Sequence, residues 1–199
     1  MRRTLVLFLI FFTLFPVCVC QNADIRMLRE INLNRNISLD PAFRVVSHSA
    51  YPVCGLTPII MFGAGYITKD SLLKRNAIVT GATLVTEVVI ANVLKYSIDR
   101  TRPFETYHDI EKATAADSPS FPSGHTASAF ALATSLTLEY PKWYIIVPSY
   151  TYAVAVAYSR IDLGVHYPSD VLAGAIIGAG SAFLCHWLNQ KISTHRSCK

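Results

Sequence analysis

Most of the chemically reactive side chains in this sequence lie in three short groups between residues 95 and 170. The groups read KYSIDRTRP at residues 95–103, PSGH at 122–125 and SRIDLGVHYPSD at 159–170. Each begins or ends beside an apolar segment, and together they hold cations, hydroxyls, carboxylates and two histidines. Side chains of these types bind phosphate oxygens and can transfer a phosphoryl group.

The cations of the three groups are suited to an anion. Lys95, Arg102 and Arg160 would repel one another unless negative charge lies between them. An arginine fork and a lysine point charge both match phosphate oxygens. Ser123 can cap the helix that follows it, and Gly124 lets its backbone N–H approach a ligand closely. A helix N-terminus also attracts anions, so we expect these five residues to form a phosphate site.

The two histidines have separate expected roles. His166 and Asp170 are four residues apart, so one helical turn would bring them together. A carboxylate on one imidazole nitrogen fixes the tautomer and leaves the other nitrogen as a nucleophile. His125 lies beside the phosphate site and is placed to protonate a leaving oxygen. The pattern predicts a two-step phosphoryl transfer through a phosphohistidine, with no metal ion and no cofactor.

Each group taken alone also has an ordinary structural explanation. A serine before a glycine at a helix start is commonly a cap, and an arginine before a proline at a membrane boundary can be an interface anchor. A histidine and an aspartate four residues apart often make only a local hydrogen bond. The chemical interpretation therefore depends on whether the elements between the groups bring all three to one place.

Five uncharged or nearly uncharged segments surround the groups, at residues 50–68, 77–94, 126–138, 143–159 and 171–190. A helix needs about 20 apolar residues to span a bilayer, and these segments are at the short end of the range. Buried helices of a soluble all-helical domain would also fit them. The composition, 52% hydrophobic and 16% charged, favours membrane spans because soluble domains carry about 25% charged residues.

Residues 1–20 are read either as a secretory signal peptide or as a first membrane helix. Two arginines precede a long apolar run, and the small residues Cys18 and Cys20 stand where a signal peptidase would require them. In both cases the chain from residue 21 onward begins outside the cytoplasm.

Crossing the membrane at each apolar segment then gives a topology. Basic residues of two connections and of the C-terminal tail fall inside, as the positive-inside rule requires, although four arginines between residues 26 and 44 fall outside. All three polar groups fall on the outer side. The predicted fold is an all-α helical-bundle integral membrane protein with five or six transmembrane helices and its active site on the extracytoplasmic face.

Other features limit the possible partners. The net charge of +5 is modest and no run of five like charges occurs, so we expect no nucleic acid partner. The five cysteines lack metal-ligand spacing, so we expect neither a zinc site nor a disulfide framework. Gly174 and Gly178 form a GxxxG pattern that predicts close helix packing, within the chain or between chains. The oligomeric state is left open.

Together the groups form the pattern K-x6-RP, PSGH and SR-x5-H-x3-D. This pattern resembles the type 2 phosphatidic acid phosphatase superfamily, which includes bacterial class A acid phosphatases and vanadium haloperoxidases. Every motif position matches, within residues 95–170 of one expected domain over residues 21–199. The resemblance implies the residue roles that follow. Phosphate is bound by Lys95, Arg102, Ser123, Gly124 and Arg160; the general acid is His125, the nucleophile is His166 and its partner is Asp170.

The sequence therefore predicts a metal-independent phosphatase for a lipid phosphate or diphosphate in a bacterial inner membrane, with its site facing the periplasm. The family resemblance adds a lipid substrate that enters sideways from the bilayer, without choosing among undecaprenyl diphosphate, phosphatidylglycerophosphate, phosphatidate and lipid A phosphates. A secreted soluble acid phosphatase is the main alternative, and a non-catalytic protein that binds anionic lipids is a further one. A haloperoxidase is disfavoured because the chain is too small for the extra helices of those enzymes.

Two more features have open roles at this stage. Glu87 lies in an otherwise uncharged segment, about 12 Å along the helix from Lys95, and an ionisable residue there is a functional candidate. It could equally face a polar cavity or the helix interior. The connection at residues 104–121 carries four acidic side chains. We expect it to be solvated rather than to gate the substrate.

Overall fold

The computed structural model describes residues 17–197, with side chains for residues 23–193. Seven α-helices and one 3-10 turn, Ile37–Leu39, make up this part of the chain, and it contains no β-strand. The helices are α1 (Val17–Asn32), α2 (Asp40–Ile67), α3 (Ser71–Ile98), α4 (Pro103–Thr106), α5 (Gly124–Glu139), α6 (Trp143–Asp162) and α7 (Pro168–Ser197). The all-α prediction is confirmed, whereas residues 1–16 of the predicted signal peptide or first membrane helix lie outside the described residues.

The five apolar segments form five separate helices, α2, α3, α5, α6 and α7. Of these, α2, α3 and α7 are long and apolar enough to cross a membrane by length and composition. Helix α5 has 16 residues, so it is about 24 Å long, which is less than the thickness of about 30 Å of a hydrocarbon core. It is surrounded by its neighbours, so it does not have to present an apolar surface to lipid.

Helix α5 is the centre of the bundle and contacts α2, α3, α6 and α7. Its buried face is rich in alanine, which lets neighbouring backbones approach closely. Ala129 and Ala133 pack with Ala50 of α2 and with Ala153 and Val156 of α6. The small side chains of α5 therefore let four helices pack around the helix that begins with the PSGH group.

The GxxxG pattern holds α7 against α5 within the chain. A Cβ atom added at Gly174 would lie 2.5 Å from the carbonyl oxygen of Ser123, and one added at Gly178 would collide with the carbonyl of Ala127. Only glycine permits this approach. As a result the first turn of α7 lies beside the start of α5, where the backbone N–H of Ser123 donates to the carbonyl of Asp170 at 3.0 Å.

The three polar groups meet at one end of the bundle because of the directions of the helices. Helix α3 ends there at Asp99, whose left-handed backbone (φ 48°) stops the helix and donates to the carbonyl of Lys95. Helix α5 begins there, α6 ends there with Arg160 in its last turn, and α7 begins there. The antiparallel order thus places residues that are up to 75 positions apart around one site.

Candidate active site

The predicted site residues surround a cavity of about 240 Å³ at this end of the bundle. Its lining includes Lys95, Arg102, Gly124, His125, Arg160 and His166. Ser123 and Asp170 lie directly behind this lining and are fully buried. All eight residues predicted from the sequence therefore lie together, six in the lining of the cavity and two directly behind it.

Backbone carbonyls hold two of the cations at the cavity. The Nζ atom of Lys95 donates to the carbonyls of Pro119 (2.7 Å) and Pro122 (3.1 Å). Arg102 donates from Nε to the carbonyl of Ser118 and from Nη1 to that of Val165, both at 2.7 Å. Because carbonyls orient a cation without cancelling its charge, both side chains keep their attraction for an anion.

Arg160 is the most buried cation, with 2% of its surface exposed. Its Nη1 donates to the hydroxyl of Ser47 at 2.5 Å, and its Nε has no partner among the described residues. No carboxylate of these residues forms an ion pair with Arg160, Arg102 or Lys95. A buried guanidinium without a counter-ion is costly, so a phosphate in the cavity would relieve this cost.

His166 lies in the connection between α6 and α7. Its Nδ1 is 3.5 Å from Oδ2 of Asp170 and its Nε2 is 3.5 Å from Nη1 of Arg102. Burial, together with the positive charges of Arg160 and Arg102, lowers the pKa of His166 to about 3. The imidazole is therefore neutral at neutral pH. With Nδ1 directed at the carboxylate, the lone pair lies on Nε2, beside the cavity.

His166 and Asp170 meet, as expected, but the expected helical turn between them is not formed. Helix α7 begins at Pro168, so His166 precedes the helix and only Asp170 is in its first turn. The Asp170 carboxylate instead accepts the backbone N–H of Tyr167 at 3.0 Å. This bond closes a tight turn before the helix and brings the imidazole over the carboxylate. At 3.5 Å the contact is not a hydrogen bond, and Nδ1 has no hydrogen-bond partner among the described residues. Catalytic contacts of this kind often tighten in the substrate complex.

Two polar side chains that the sequence reasoning missed hold Asp170 in place, and a third supports one of them. Arg100 donates from Nη1 to Oδ1 of Asp170 at 2.6 Å, and the hydroxyl of Ser120 donates to Oδ2 at 2.5 Å. Arg100 also donates from Nη2 to Asp24 of α1 at 2.9 Å, and its guanidinium stacks 3.9 Å from the centre of the Tyr167 ring. A chain of alternating charges thus runs from α1 to the histidine.

His125 is stacked against another residue that the sequence reasoning missed. The ring centres of His125 and Tyr51 of α2 are 4.2 Å apart, and both line the cavity. A Cβ atom at Gly124 would lie 2.8 Å from the Tyr51 hydroxyl, so any larger residue there would displace the tyrosine. Tyr51 therefore limits the positions that the His125 imidazole can occupy at the start of α5.

Ser123 occupies the N-cap position of α5, but its side chain does not cap the helix. Its hydroxyl pairs with that of Thr126 at 3.0 Å, which corrects the expected capping role. The first N–H groups of an α-helix have no carbonyl partner inside the helix. Those of Gly124 and His125 are thus left for an anion in the cavity.

The four acidic side chains of the connection at residues 104–121 are exposed, as expected, but part of the connection also forms a wall of the cavity. Residues 115–118 line the cavity. Arginines of the N-terminal region attach the connection at three points: Arg29 to Asp109 at 2.6 Å, Arg35 to Glu111 at 2.6 Å, and Arg44 to the carbonyl of Ala113 at 2.6 Å. These attachments make α1 and the start of α2 part of the site's framework.

Glu87 does not line the cavity. It is almost fully buried, and its Oε1 accepts the hydroxyl of Ser128 of α5 at 2.5 Å. Ser128 lies one helical turn after Gly124 and His125. Of the roles left open for Glu87, the structure therefore favours one in the helix interior, where it joins α3 to α5.

Comparisons with known proteins agree with this geometry. A model of the PAP2 superfamily matches residues 76–193, a range that contains all three polar groups. An undecaprenyl-diphosphatase from Sulfolobus acidocaldarius is 33% identical over 171 residues, which is 78% of this chain and 79% of that relative.

Two solved structures are similar over most of their length. A transmembrane PAP2-type phosphatidylglycerolphosphate phosphatase from Bacillus subtilis has a TM-score of 0.74 at 28% identity, covering 96% of this chain and 98% of its own. LpxE from Aquifex aeolicus has a TM-score of 0.67 at 30% identity, covering 85% and 95%. The expected all-helical membrane fold and the expected family are both confirmed: the chain belongs to the PAP2 superfamily.

Proposed function

We propose that this membrane phosphatase hydrolyses a lipid phosphate or diphosphate on the extracytoplasmic side through a phosphohistidine on His166. The observation that carries the proposal is a buried neutral imidazole in the same cavity as three cations without carboxylate partners. The cations supply the charge that a phosphoryl group requires, and the imidazole supplies a nucleophile.

The proposed reaction has two steps. In the first, Nε2 of His166 attacks phosphorus, the bond from phosphorus to the leaving oxygen breaks, and His125 gives that oxygen a proton. In the second, a water molecule attacks the phosphohistidine, His125 takes the proton from the water, and His166 is released with inorganic phosphate. Asp170 stabilises the positive charge that forms on the His166 ring during the first step.

Three observations support a lipid substrate. Helices α2, α3 and α7 have the length and composition of membrane spans, and the cavity lies at one end of the bundle they form. Headgroup phosphates lie at that depth of a bilayer. In addition, similar proteins are named for a polyprenyl diphosphate and for phosphatidylglycerolphosphate. Exposed apolar helices are unfavourable in water, so they argue against a secreted soluble phosphatase.

The proposed orientation rests on the distribution of basic residues. Lys69, Lys74, Arg75 and Lys142 all lie at the end of the bundle opposite the cavity. Because basic residues concentrate on the cytoplasmic side of membrane proteins, the cavity would face away from the cytoplasm. In a bacterium with two membranes, this position corresponds to the periplasmic face of the inner membrane.

A substrate panel in the presence of EDTA tests the function. We expect purified protein to release inorganic phosphate from phosphatidate, phosphatidylglycerophosphate or a polyprenyl diphosphate at a rate that EDTA does not change. The reason is that three cations of the chain itself, rather than a metal ion, would balance the charge of the phosphoryl group. Loss of activity in EDTA that added magnesium restores would contradict the mechanism. Release of the protein from membranes by carbonate washing would favour the soluble alternative.

Replacing Arg100 by glutamine tests the support of the nucleophile. We expect kcat to fall roughly 10- to 100-fold, as is usual when a residue that orients a reacting group is lost, while KM changes little because Arg100 does not line the cavity. The matched control is Arg26→Gln, which removes an exposed arginine of α1 that does not line the cavity. If Arg100→Gln raised KM and left kcat unchanged, Arg100 would be a substrate-binding residue instead.

A further inference from the structure

A second polar cavity, of about 610 Å³, lies at the opposite end of the bundle. Phe62 of α2, Lys74, Arg75 and Ile78 of α3, and Asn189 and Ile192 of α7 are in its lining. The same three helices that have the properties of membrane spans therefore enclose it. None of the residues that support catalysis belongs to this lining.

The cavity carries positive charge without a counter-ion. Neither Lys74 nor Arg75 forms an ion pair with a carboxylate among the described side chains. The nearby carboxylate of Asp70 is used as a helix cap, because it accepts the backbone N–H groups of Leu72 (2.9 Å) and Leu73 (3.0 Å). The two cations are thus available to an anionic ligand.

Contacts with neighbouring helices hold both cations at the cavity. The Nε of Arg75 donates to the side-chain oxygen of Asn189 on α7 at 3.1 Å. The stem of Lys74 packs on α2 at Gly65, where an added Cβ atom would lie 2.9 Å from the lysine Cγ. One cation therefore lies at the junction of α3 with α2, and the other at the junction of α3 with α7.

The position of the cavity along the bundle matches a lipid headgroup. Lys74 and Lys95 are 21 residues apart on α3, which corresponds to about 31 Å of helix. That length is close to the thickness of about 30 Å of the hydrocarbon core. The two cavities therefore lie at the two headgroup layers of a bilayer. Phe62, Ile78 and Ile192 are exposed beside the second one, at the depth where acyl chains begin.

We propose that this cavity binds the phosphate of an anionic phospholipid from the leaflet opposite the catalytic cavity. A lysine point charge, an arginine fork and an amide are suitable donors for phosphate oxygens. Basic pockets between transmembrane helices are also known to hold anionic lipid headgroups. Among the side chains described for residues 23–193, the lining includes no histidine, and binding alone is assigned to this site. The bound lipid would join α2, α3 and α7.

A titration by native mass spectrometry tests the site. The full-length protein in non-ionic detergent is titrated with dioleoyl phosphatidylglycerol, dioleoyl phosphatidylcholine or inorganic phosphate. The test variant is Lys74→Gln/Arg75→Gln. The control variant is Lys69→Gln/Lys142→Gln, which removes two cations from the same end of the bundle but outside the cavity. Phosphatase activity without added phosphatidylglycerol shows whether each variant is folded.

We expect wild type and the control variant to bind one phosphatidylglycerol more tightly than the test variant by roughly 30-fold, since each of the two cations contributes about fivefold, as a basic residue does at a charged membrane surface. The same lipid should raise the Tm of wild type and control, but not of the test variant. Equal losses of phosphatidylglycerol affinity in both double variants would overturn the proposal. They would show only a general attraction between cations at this end of the bundle and anionic headgroups. Saturation by inorganic phosphate in place of the lipid would overturn it too. If the double variant does not fold, Arg75→Gln alone should still weaken phosphatidylglycerol binding severalfold.

Discussion

Replacing His166 by asparagine should reduce kcat for phosphate release by a factor of about 10⁴ or more, the loss typical of removing a catalytic nucleophile. The asparagine amide can keep the contact with Asp170 that Nδ1 of the histidine makes at 3.5 Å. It has no atom at the position of Nε2, from which the attack on phosphorus would start. The substitution therefore removes the nucleophile and preserves much of its support.

Two measurements separate this outcome from a folding defect. The first is trapping with a ³²P-labelled substrate in an alkaline quench: wild type should retain label that alkali preserves and later acid treatment releases, and His166→Asn should retain none. The second is competitive inhibition by inorganic phosphate, which should persist in the variant because Lys95, Arg102 and Arg160 still line the cavity. The matched control is His108→Asn, an exposed histidine outside the cavity, which should keep wild-type activity.

The same variant tests the non-catalytic alternative. If His166→Asn kept hydrolysing every phosphate that wild type hydrolyses, the nucleophile would have to be another group. If wild type released no phosphate from any lipid but bound anionic lipids, a binding role would be correct. The arrangement around His166 argues against this second outcome, because a binding site gains nothing from a buried imidazole whose pKa is lowered to about 3.

The sequence could predict that the eight candidate site residues lie together because their signals are local. Each of the three groups is no longer than twelve residues, and each adjoins an apolar segment long enough to form a helix. Once the segments are arranged antiparallel, the ends that carry the groups have to meet. The two glycines of α7 were recognisable as a packing pattern because their spacing is also a local signal. That spacing could not show whether the partner helix belongs to the same chain.

Residues whose partners are distant in sequence could not be predicted in this way. Asp24 lies 76 positions before Arg100 and 146 before Asp170, and a single aspartate in a mixed helix has no distinctive spacing. Arg100 had a weak signal as a further cation between Lys95 and Arg102. Tyr51 had none, because one aromatic residue in an apolar helix usually belongs to the core. The roles of Asp24, Arg100 and Tyr51 depend on how α1 and α2 pack against the other helices. The spacing of residues along the sequence does not show this packing.

The wall that the connection at residues 104–121 adds to the cavity was not predicted, for a related reason. Its acidic side chains are typical of a solvated loop, but Asp109 and Glu111 pair with arginines of the N-terminal region. Those two arginines, Arg29 and Arg35, are among the four that fell on the unexpected side of the positive-inside count. Acidic and basic residues on the same face of the membrane thus compensate each other, and this compensation is visible only when the two segments are seen together.

Replacing His125 by asparagine should slow hydrolysis to an extent that depends on the leaving group. A general acid matters most when the departing oxygen is strongly basic. For an alkyl phosphate such as phosphatidate, we expect a loss of roughly 10³-fold in the rate of phosphoryl transfer to the enzyme. For p-nitrophenyl phosphate, whose leaving group departs easily as an anion, the single-turnover release of nitrophenol should fall by less than about tenfold.

The later step gives an independent signature of the same residue. If His125 also takes the proton from the attacking water, the asparagine variant should release about one nitrophenol per enzyme quickly and then turn over slowly, since the phosphohistidine accumulates. Tyr51→Phe is the matched control, because it keeps the ring that lies 4.2 Å from the imidazole and removes only a hydroxyl. It should show no such burst. Equal losses with both leaving groups and no burst would mean that His125 positions the phosphate rather than moving a proton.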